Sequence, residues 1–277
     1  IYGQVVAMLN GLARGFTGVL FTTPDIDEIL DAMEKYKAST FNGVPTMFEF
    51  LKEYEKTYRV NWKNVKLIGC GADTLHESTV EAWERRTGSK IHEGYGMTET
   101  TGVSHSNPYQ KTKRNSFGVP IPGVRAAIVE YEGTKYMPVG EVGEMILNGP
   151  NIMQAYWKRP EETKQSLIDI DGEKWLRTGD IVSMDEDGYF HFFDRKRDLI
   201  KFKGYSVFAR HVEEVLYKHP QIKAAGVVGV PDPKVGNIIK AYVVLESEAR
   251  GKISEEDIIN FCTENLAHYK VPKIIEF

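Results

Sequence analysis

Gly94-Tyr95-Gly96-Met97-Thr98-Glu99-Thr100-Thr101 is the stretch on which the reading of this chain turns. It follows an apolar run at Val65–Cys70 and a helix-patterned segment that closes at Gly88. Two glycines permit a tight turn and a close approach of backbone to a ligand. An aromatic ring, hydroxyls and a carboxylate lie close together here, a mixture that suits a planar base, phosphate oxygens and a hydrated divalent cation. Alone, such a turn is most often only a loop, so its meaning depends on partners elsewhere in the chain.

Upstream, strand and helix patterns alternate. Val5, Met8, Leu9 and Leu12 fall at helical spacing, and Thr17–Phe21 reads as a short buried strand. Thr23 is placed to cap the next helix, with Pro24 in its first turn and Ile26, Ile29, Leu30, Met33 and Tyr36 as its apolar stripe. Ala38–Phe41 reads as a strand and Asn42-Gly43-Val44-Pro45 as a turn into a further helix. Val65–Cys70, Leu75–Thr87 and Lys90–Glu93 then read as strand, helix and strand. This alternation indicates a parallel α/β layer, whose ligands bind off the carboxyl ends of the strands. Gly69-Cys70-Gly71-Ala72 and the opening stretch both fall there.

Downstream the character changes. After Phe117 the turn-rich link Gly118–Gly123 leads to strand patterns separated by Gly, Pro and Asp clusters, with a hairpin turn at Asp185–Gly188. The remainder mixes β-branched strands at Ala224–Val230 and Ile239–Leu245 with helices, one opened by a capping box at Ser254–Asp257. The expected divisions are 1–117, an α/β subdomain; 118–196, an antiparallel β subdomain; and 197–277, a small α+β domain.

Composition narrows the function classes. With 35 Lys+Arg against 39 Asp+Glu in 277 residues, the formal charge is −4 and no basic stripe stands out, which argues against a nucleic-acid partner. Cys70 and Cys262 lie far apart in apolar runs and read as buried free thiols of a reducing, cytoplasmic compartment. No stretch has the length and apolarity of a transmembrane helix. Ile1 is not a natural start, so a piece of a longer protein is expected.

Four segments in order give the opening motif its partners: Gly69-Cys70-Gly71-Ala72; Gly94–Glu99; Trp175-Leu176-Arg177-Thr178-Gly179-Asp180; and Asp194-Arg195-Lys196-Arg197-Asp198-Leu199-Ile200-Lys201-Phe202-Lys203-Gly204-Tyr205. Together they resemble the adenylate-forming superfamily of acyl-CoA synthetases, non-ribosomal peptide adenylation domains and firefly luciferase. The tail Leu266–Phe277 and Asn107-Pro108-Tyr109 look most like fatty acyl-CoA ligases.

The resemblance implies ATP-dependent activation of a carboxylic acid, here a fatty acid, to acyl-AMP, followed by transfer to coenzyme A. It implies that Tyr95 stacks on adenine with Gly71 and Ala72 on the other face, beside Gly96 and Met97. Thr98 would bond the α-phosphate, and Glu99 would help hold Mg²⁺. Asp180 and Arg195 would serve the ribose and phosphate, with Phe192 near the ribose. The small C-terminal domain would swing about Arg197, where relatives usually carry Asp or Lys. Lys201 would then face the adenylate, and Lys203, Gly204 and Tyr205 would border the pantetheine tunnel. Gly43, Val44 and Gly96 would border the acyl pocket.

Two elements of the family lie outside these 277 residues: its phosphate loop upstream and its adenylation lysine downstream. The chain alone is therefore expected to be a poor adenylating enzyme. The alternatives are a non-catalytic nucleotide- or acyl-binding relative and an enzyme that loads a carrier protein. Peripheral membrane contact and a homodimer stay open.

Overall fold

A computed structural model describes residues 1–277. The chain divides into two compact units. One comprises Ile1–Glu141, Met145–Thr178 and Ser183–Phe192; the other comprises Val142–Glu144, Gly179–Val182 and Phe193–Phe277.

The chain opens with a π-helix at Tyr2–Leu9 that runs on into α1, Asn10–Ala13. Residues 17–21, expected as a buried strand, form no strand, and Leu20 is 81% exposed. The apolar run has the right composition, but no neighbouring strand supplies its ladder of hydrogen bonds. Helix α2 (Ile26–Tyr36) is capped by Asp25 rather than Thr23, because the Asp25 carboxylate accepts from Glu28 N at 3.0 Å.

The first sheet has the order β1-β2-β3-β4-β5. Its strands are Thr40–Gly43, Leu67–Cys70, His92–Tyr95, His105–Ser106 and Val119–Pro120. The first three are parallel, in the register Gly43↔Cys70↔Glu93, whereas β4 and β5 run antiparallel. The α/β class holds, but the layer is mixed instead of parallel throughout. Asn42 and Gly43, expected in a turn, complete β1. Pro45 then opens α3 (Pro45–Leu51), where a missing N–H costs nothing. Helix α4 (Glu77–Thr87) ends at Gly88, whose φ of 67° is the left-handed cap that glycine adopts without strain.

Between these helices and the sheet, Phe41, Phe48, Trp62 and Trp83 meet edge-to-face, with ring centroids 4.6 to 5.8 Å apart. Such pairs add about 0.5–1.5 kcal/mol each beyond their buried area. This core fixes the strands whose ends carry the candidate site.

A second sheet has the order β10-β9-β7-β6, with β8 on β9. These strands are β6 Arg125–Val129, β7 Gly143–Asn148, β8 Leu167–Ile170, β9 Glu173–Met184 and β10 Phe190–Arg195; helix α5 (Pro160–Ser166) precedes β8. Asp180 lies within β9, where Gly179 takes a φ of 71°.

The third sheet, in the second unit, has the order β12-β11-β14-β13, with β15 on β14. It is built from β11 Leu199–Phe202, β12 Tyr205–Phe208, β13 Ile222–Asp232, β14 Gly236–Leu245 and β15 Ile274–Glu276. Helices α6 (Ala209–Leu216) and α7 (Glu255–Asn265) share its core through Val212, Leu216, Ile258 and Cys262. The expected capping box is formed: Ser254 Oγ accepts from Asp257 N, and the Asp257 carboxylate accepts from Ser254 N. Cys70 and Cys262 are both free and buried. No helix is long and apolar enough to cross a membrane.

On α6 the partly buried Glu213 accepts from Val227 N at 2.7 Å, and burial raises its carboxyl above the ordinary 4.5 despite that bond. A raised carboxyl subtracts stability while it is ionised, and the loss is relieved as pH falls through its folded value. Glu213→Gln keeps an oxygen for Val227 N and removes the charge. The variant is expected to melt higher than the unaltered chain at about pH 7, by a margin that shrinks at about pH 5. Thermal melts at the two pH values check this; a constant margin would refute it.

Candidate active site

The parallel register of β1, β2 and β3 brings their carboxyl ends together, and with them Gly43-Val44, Gly71-Ala72 and Gly96–Glu99. Ala72 takes a φ of 76°, a conformation that L side chains rarely adopt. Gly71 is buried; a Cβ there would stand 3.2 Å from the Tyr2 ring.

Tyr95 is the last residue of β3 and is half-buried. Its ring lies against Phe117, centroids 4.8 Å apart and 36° between planes, and against the edge of His105. The phenol points to Met97 Sδ at 3.9 Å. Packing within the chain itself requires a glycine at position 96. A Cβ there would run into the backbone of Gly102 and stand 2.6 Å from Val103 Cα, so the glycine admits the chain's own backbone. Gly43 is similar: a Cβ would come within 2.8 Å of the Phe48 ring.

Thr98–Thr100 form one 3₁₀ turn with Thr98 exposed and Glu99 half-buried. Thr100 is wholly buried; its Oγ1 accepts from Met97 N and donates to Met97 O, both at 3.0 Å. Residues from beyond β7 hold this turn. Asn151 Nδ2 donates to Thr100 O and Val103 O at 3.0 and 2.9 Å, and Met153 N donates to Glu99 O at 2.8 Å. Tyr156 donates its hydroxyl to Glu99 Oε1 at 2.6 Å. Burial, and then that bond, raise the Tyr156 phenol above its ordinary 10.0, so it remains a donor across the neutral range. Sequence reasoning missed Asn151 and Tyr156. Only Gly149-Pro150 beside Asn151 marked a turn, and nothing marked Tyr156.

A divalent cation can be tested against this geometry. No cluster of three or more His, Cys, Asp or Glu is present. Glu99 is one oriented carboxylate, and Mg²⁺ bound through substrate phosphates takes one or two carboxylates and water. The residues fit such an ion and do not form a closed protein cage.

Phe192, on β10 in the same unit, is half-buried. The second unit carries the other expected residues. Asp180 is 9% exposed, and Arg195 Nε lies 3.8 Å from its Oδ1, so carboxylate and guanidinium form a loose pair with exposed guanidinium surface. Arg197 is exposed in a 3₁₀ turn at Lys196–Asp198 and pairs with Asp198 at 3.6 Å. Lys201 is directly opposite Ser206 and donates to its Oγ at 2.8 Å. Lys203 and Gly204 form the two-residue connection between β11 and β12, with φ values of 48° and 82°. Two positive φ values mark the type I′ hairpin turn. Tyr205 follows and stacks on Tyr269 with centroids 4.6 Å apart, a partner that sequence did not indicate.

The family model described as AMP-binding enzyme matches residues 1–157, and the one described as AMP-binding enzyme C-terminal domain matches residues 211–277. A long-chain-fatty-acid–CoA ligase of Bacillus subtilis (strain 168) is 38% identical over 278 residues, spanning 100% of this chain and 49% of the relative. A protein of the same name from Escherichia coli O6:H1 is 32% identical over 279 residues, 100% of this chain and 48% of the relative. The crystal structure of ATP-bound MatB from Rhodopseudomonas palustris superposes with a TM-score of 0.90 at 31% identity, covering 100% of this chain and 54% of that one. The chain thus spans about half the length of the curated relatives it matches. With the first family model covering more than half of its residues, the chain belongs to the AMP-binding enzyme family.

Proposed function

We propose that this chain supplies part of the site of an ATP-dependent fatty acid–CoA ligase. The observation that carries this reading is the Gly94–Thr101 loop, held at the ends of three parallel strands with Glu99 oriented by Tyr156. It occurs in a chain 38% identical to a protein named a long-chain-fatty-acid–CoA ligase.

In the first step a carboxylate oxygen attacks the α-phosphorus of ATP, and the bond to the β-phosphate oxygen breaks to release pyrophosphate. In the second the thiol of coenzyme A attacks the acyl carbonyl, and AMP leaves. Tyr95 offers a ring face to adenine, with Gly71 and Ala72 opposite. Thr98, exposed at the start of its turn, offers a hydroxyl to the α-phosphate. Glu99 takes part in holding Mg²⁺, which supplies positive charge beside the phosphates. Asp180 accepts from the ribose hydroxyls, and Arg195 brings positive charge to ribose and phosphate.

Lys201, Lys203, Gly204 and Tyr205 serve the thioester step, and Arg197 is the pivot between the two steps. Val44, with the glycines beside it, borders the acyl chain. The cytoplasm is the setting we infer, where Cys70 and Cys262 stay reduced. The test is CoA-ester formation by a full-length protein carrying this chain, across fatty and aromatic acids. Activity is expected with medium- to long-chain fatty acids; a preference for aromatic acids would overturn the substrate assignment, and absence of ATP-dependent ester formation would overturn the enzyme.

A further inference from the structure

His105 is wholly buried, yet it is not a passive core residue. It sits on β4 directly opposite Tyr95 on β3. The two rings meet edge-to-face, centroids 5.9 Å apart and 74° between planes. Phe117 and Phe190 close two more sides of the imidazole at 5.1 and 4.7 Å.

The polar contacts run to the same residue. Ser104 Oγ lies 3.0 Å from His105 Nδ1 and 3.5 Å from Tyr95 O, and Nε2 has no partner. A serine hydroxyl has one proton to give. If Nδ1 carries the imidazole proton, it donates to Ser104 Oγ, which donates onward to Tyr95 O, leaving only a bare Nε2 lone pair. With the other tautomer, Ser104 donates back to Nδ1 and an N–H is buried without an acceptor, the less favourable arrangement. Burial in this aromatic box also pushes the His105 imidazole down to about 3, so it stays neutral at physiological pH.

We propose that His105, as its Nδ1–H tautomer, is a positioning residue that holds Tyr95 in two ways, by its ring edge and through Ser104. This rests on the reading of Tyr95 as the nucleobase platform. It makes His105 a determinant of nucleotide affinity that touches no nucleotide.

Three substitutions separate the two contacts. His105→Phe keeps a ring and loses the relay. His105→Asn keeps a donor near the Nδ1 position and loses the ring. His105→Ala loses both. Titration calorimetry of the 277-residue chain with AMP is the readout. His105→Ala is expected to weaken AMP binding about 10-fold, and Phe and Asn about 3-fold each, in line with the worth of one aromatic or neutral polar contact.

In a Tyr95→Ala background, His105→Ala is expected to change AMP affinity by less than about 1.5-fold, because the effect passes through Tyr95. An equal loss in both backgrounds would reduce His105 to a fold residue and overturn the proposal, as would unchanged binding in His105→Ala. Nitrogen-15 NMR of the imidazole gives a readout without nucleotide. A protonated Nδ1 supports the relay, and a protonated Nε2 overturns it. If the unaltered chain shows the Nδ1–H tautomer but binds no AMP, the nucleotide reading of Tyr95 fails while the hold of His105 on Tyr95 stands.

Discussion

Gly118→Ala is expected to destabilise the first unit by about 3–5 kcal/mol, the largest stability effect anticipated for a single methyl group in this chain. Two costs combine. Gly118 has a φ of +96°, where an L side chain is strained. Its Cβ would also fall on the carbonyl of Ser106 and the amide nitrogen of Asn107. These are backbone atoms at the end of β4 and cannot rotate aside.

Gly118 is also fixed from its other side, since Phe190 N donates to Gly118 O at 2.9 Å and Ser116 Oγ donates to Phe190 O at 2.9 Å. Gly140 supplies the control. Its φ is +89°, but nothing lies within 4 Å of a Cβ, so Gly140→Ala isolates the conformational strain at about 1–2 kcal/mol. Denaturant midpoints of the two variants should differ accordingly, and similar losses would refute the overlap argument. Because β4 carries His105 opposite Tyr95, Gly118→Ala should also weaken AMP binding, which Gly140→Ala should leave alone.

Much of the candidate site was legible because it is built from local patterns. Gly69–Ala72 and Gly94–Glu99 each follow an apolar strand, and in a parallel layer both strand ends face one edge. The strand boundaries slipped by about two residues, as at Thr40–Gly43 against the expected Ala38–Phe41, because the ends of so short a strand are set by its pairing with β2 and are only weakly marked in its own residues. The cap at Asp25 was misassigned because Thr23 and Asp25 are both capable acceptors and only backbone geometry chooses between them.

The failure at Thr17–Phe21 has a different cause. A β-prone run is a strand only when another strand lies beside it, and composition does not report that. Gly43 and Gly96 carry a constraint that sequence does not announce, because a Cβ at either would meet a ring or backbone segment of the chain itself. Contacts between residues far apart in the chain, such as Tyr156 with Glu99 and Tyr205 with Tyr269, follow no sequence period and were invisible beforehand.

Glu99→Gln is expected to lower acyl-adenylate formation by about 10²–10³-fold in a full-length protein carrying this chain, while leaving stability within about 0.5 kcal/mol. Gln has the shape of Glu and retains an oxygen for the Tyr156 hydroxyl, so the turn stays anchored through Met153 N and Asn151. What it lacks is the negative charge that would hold Mg²⁺ beside the phosphates. The cost should therefore appear in the pyrophosphate-exchange rate and in a higher half-saturating Mg²⁺ concentration. AMP affinity, which needs no divalent ion, should change by less than about 3-fold.

Tyr156→Phe separates charge from orientation, because it leaves the carboxylate intact and removes the donor that aims it. Orienting partners of this kind are worth about 10–100-fold, and the loss should again fall on Mg²⁺-dependent exchange. Should Glu99→Gln keep more than about a third of the exchange rate, Glu99 belongs to the scaffold of the loop and the cation must be held by other groups.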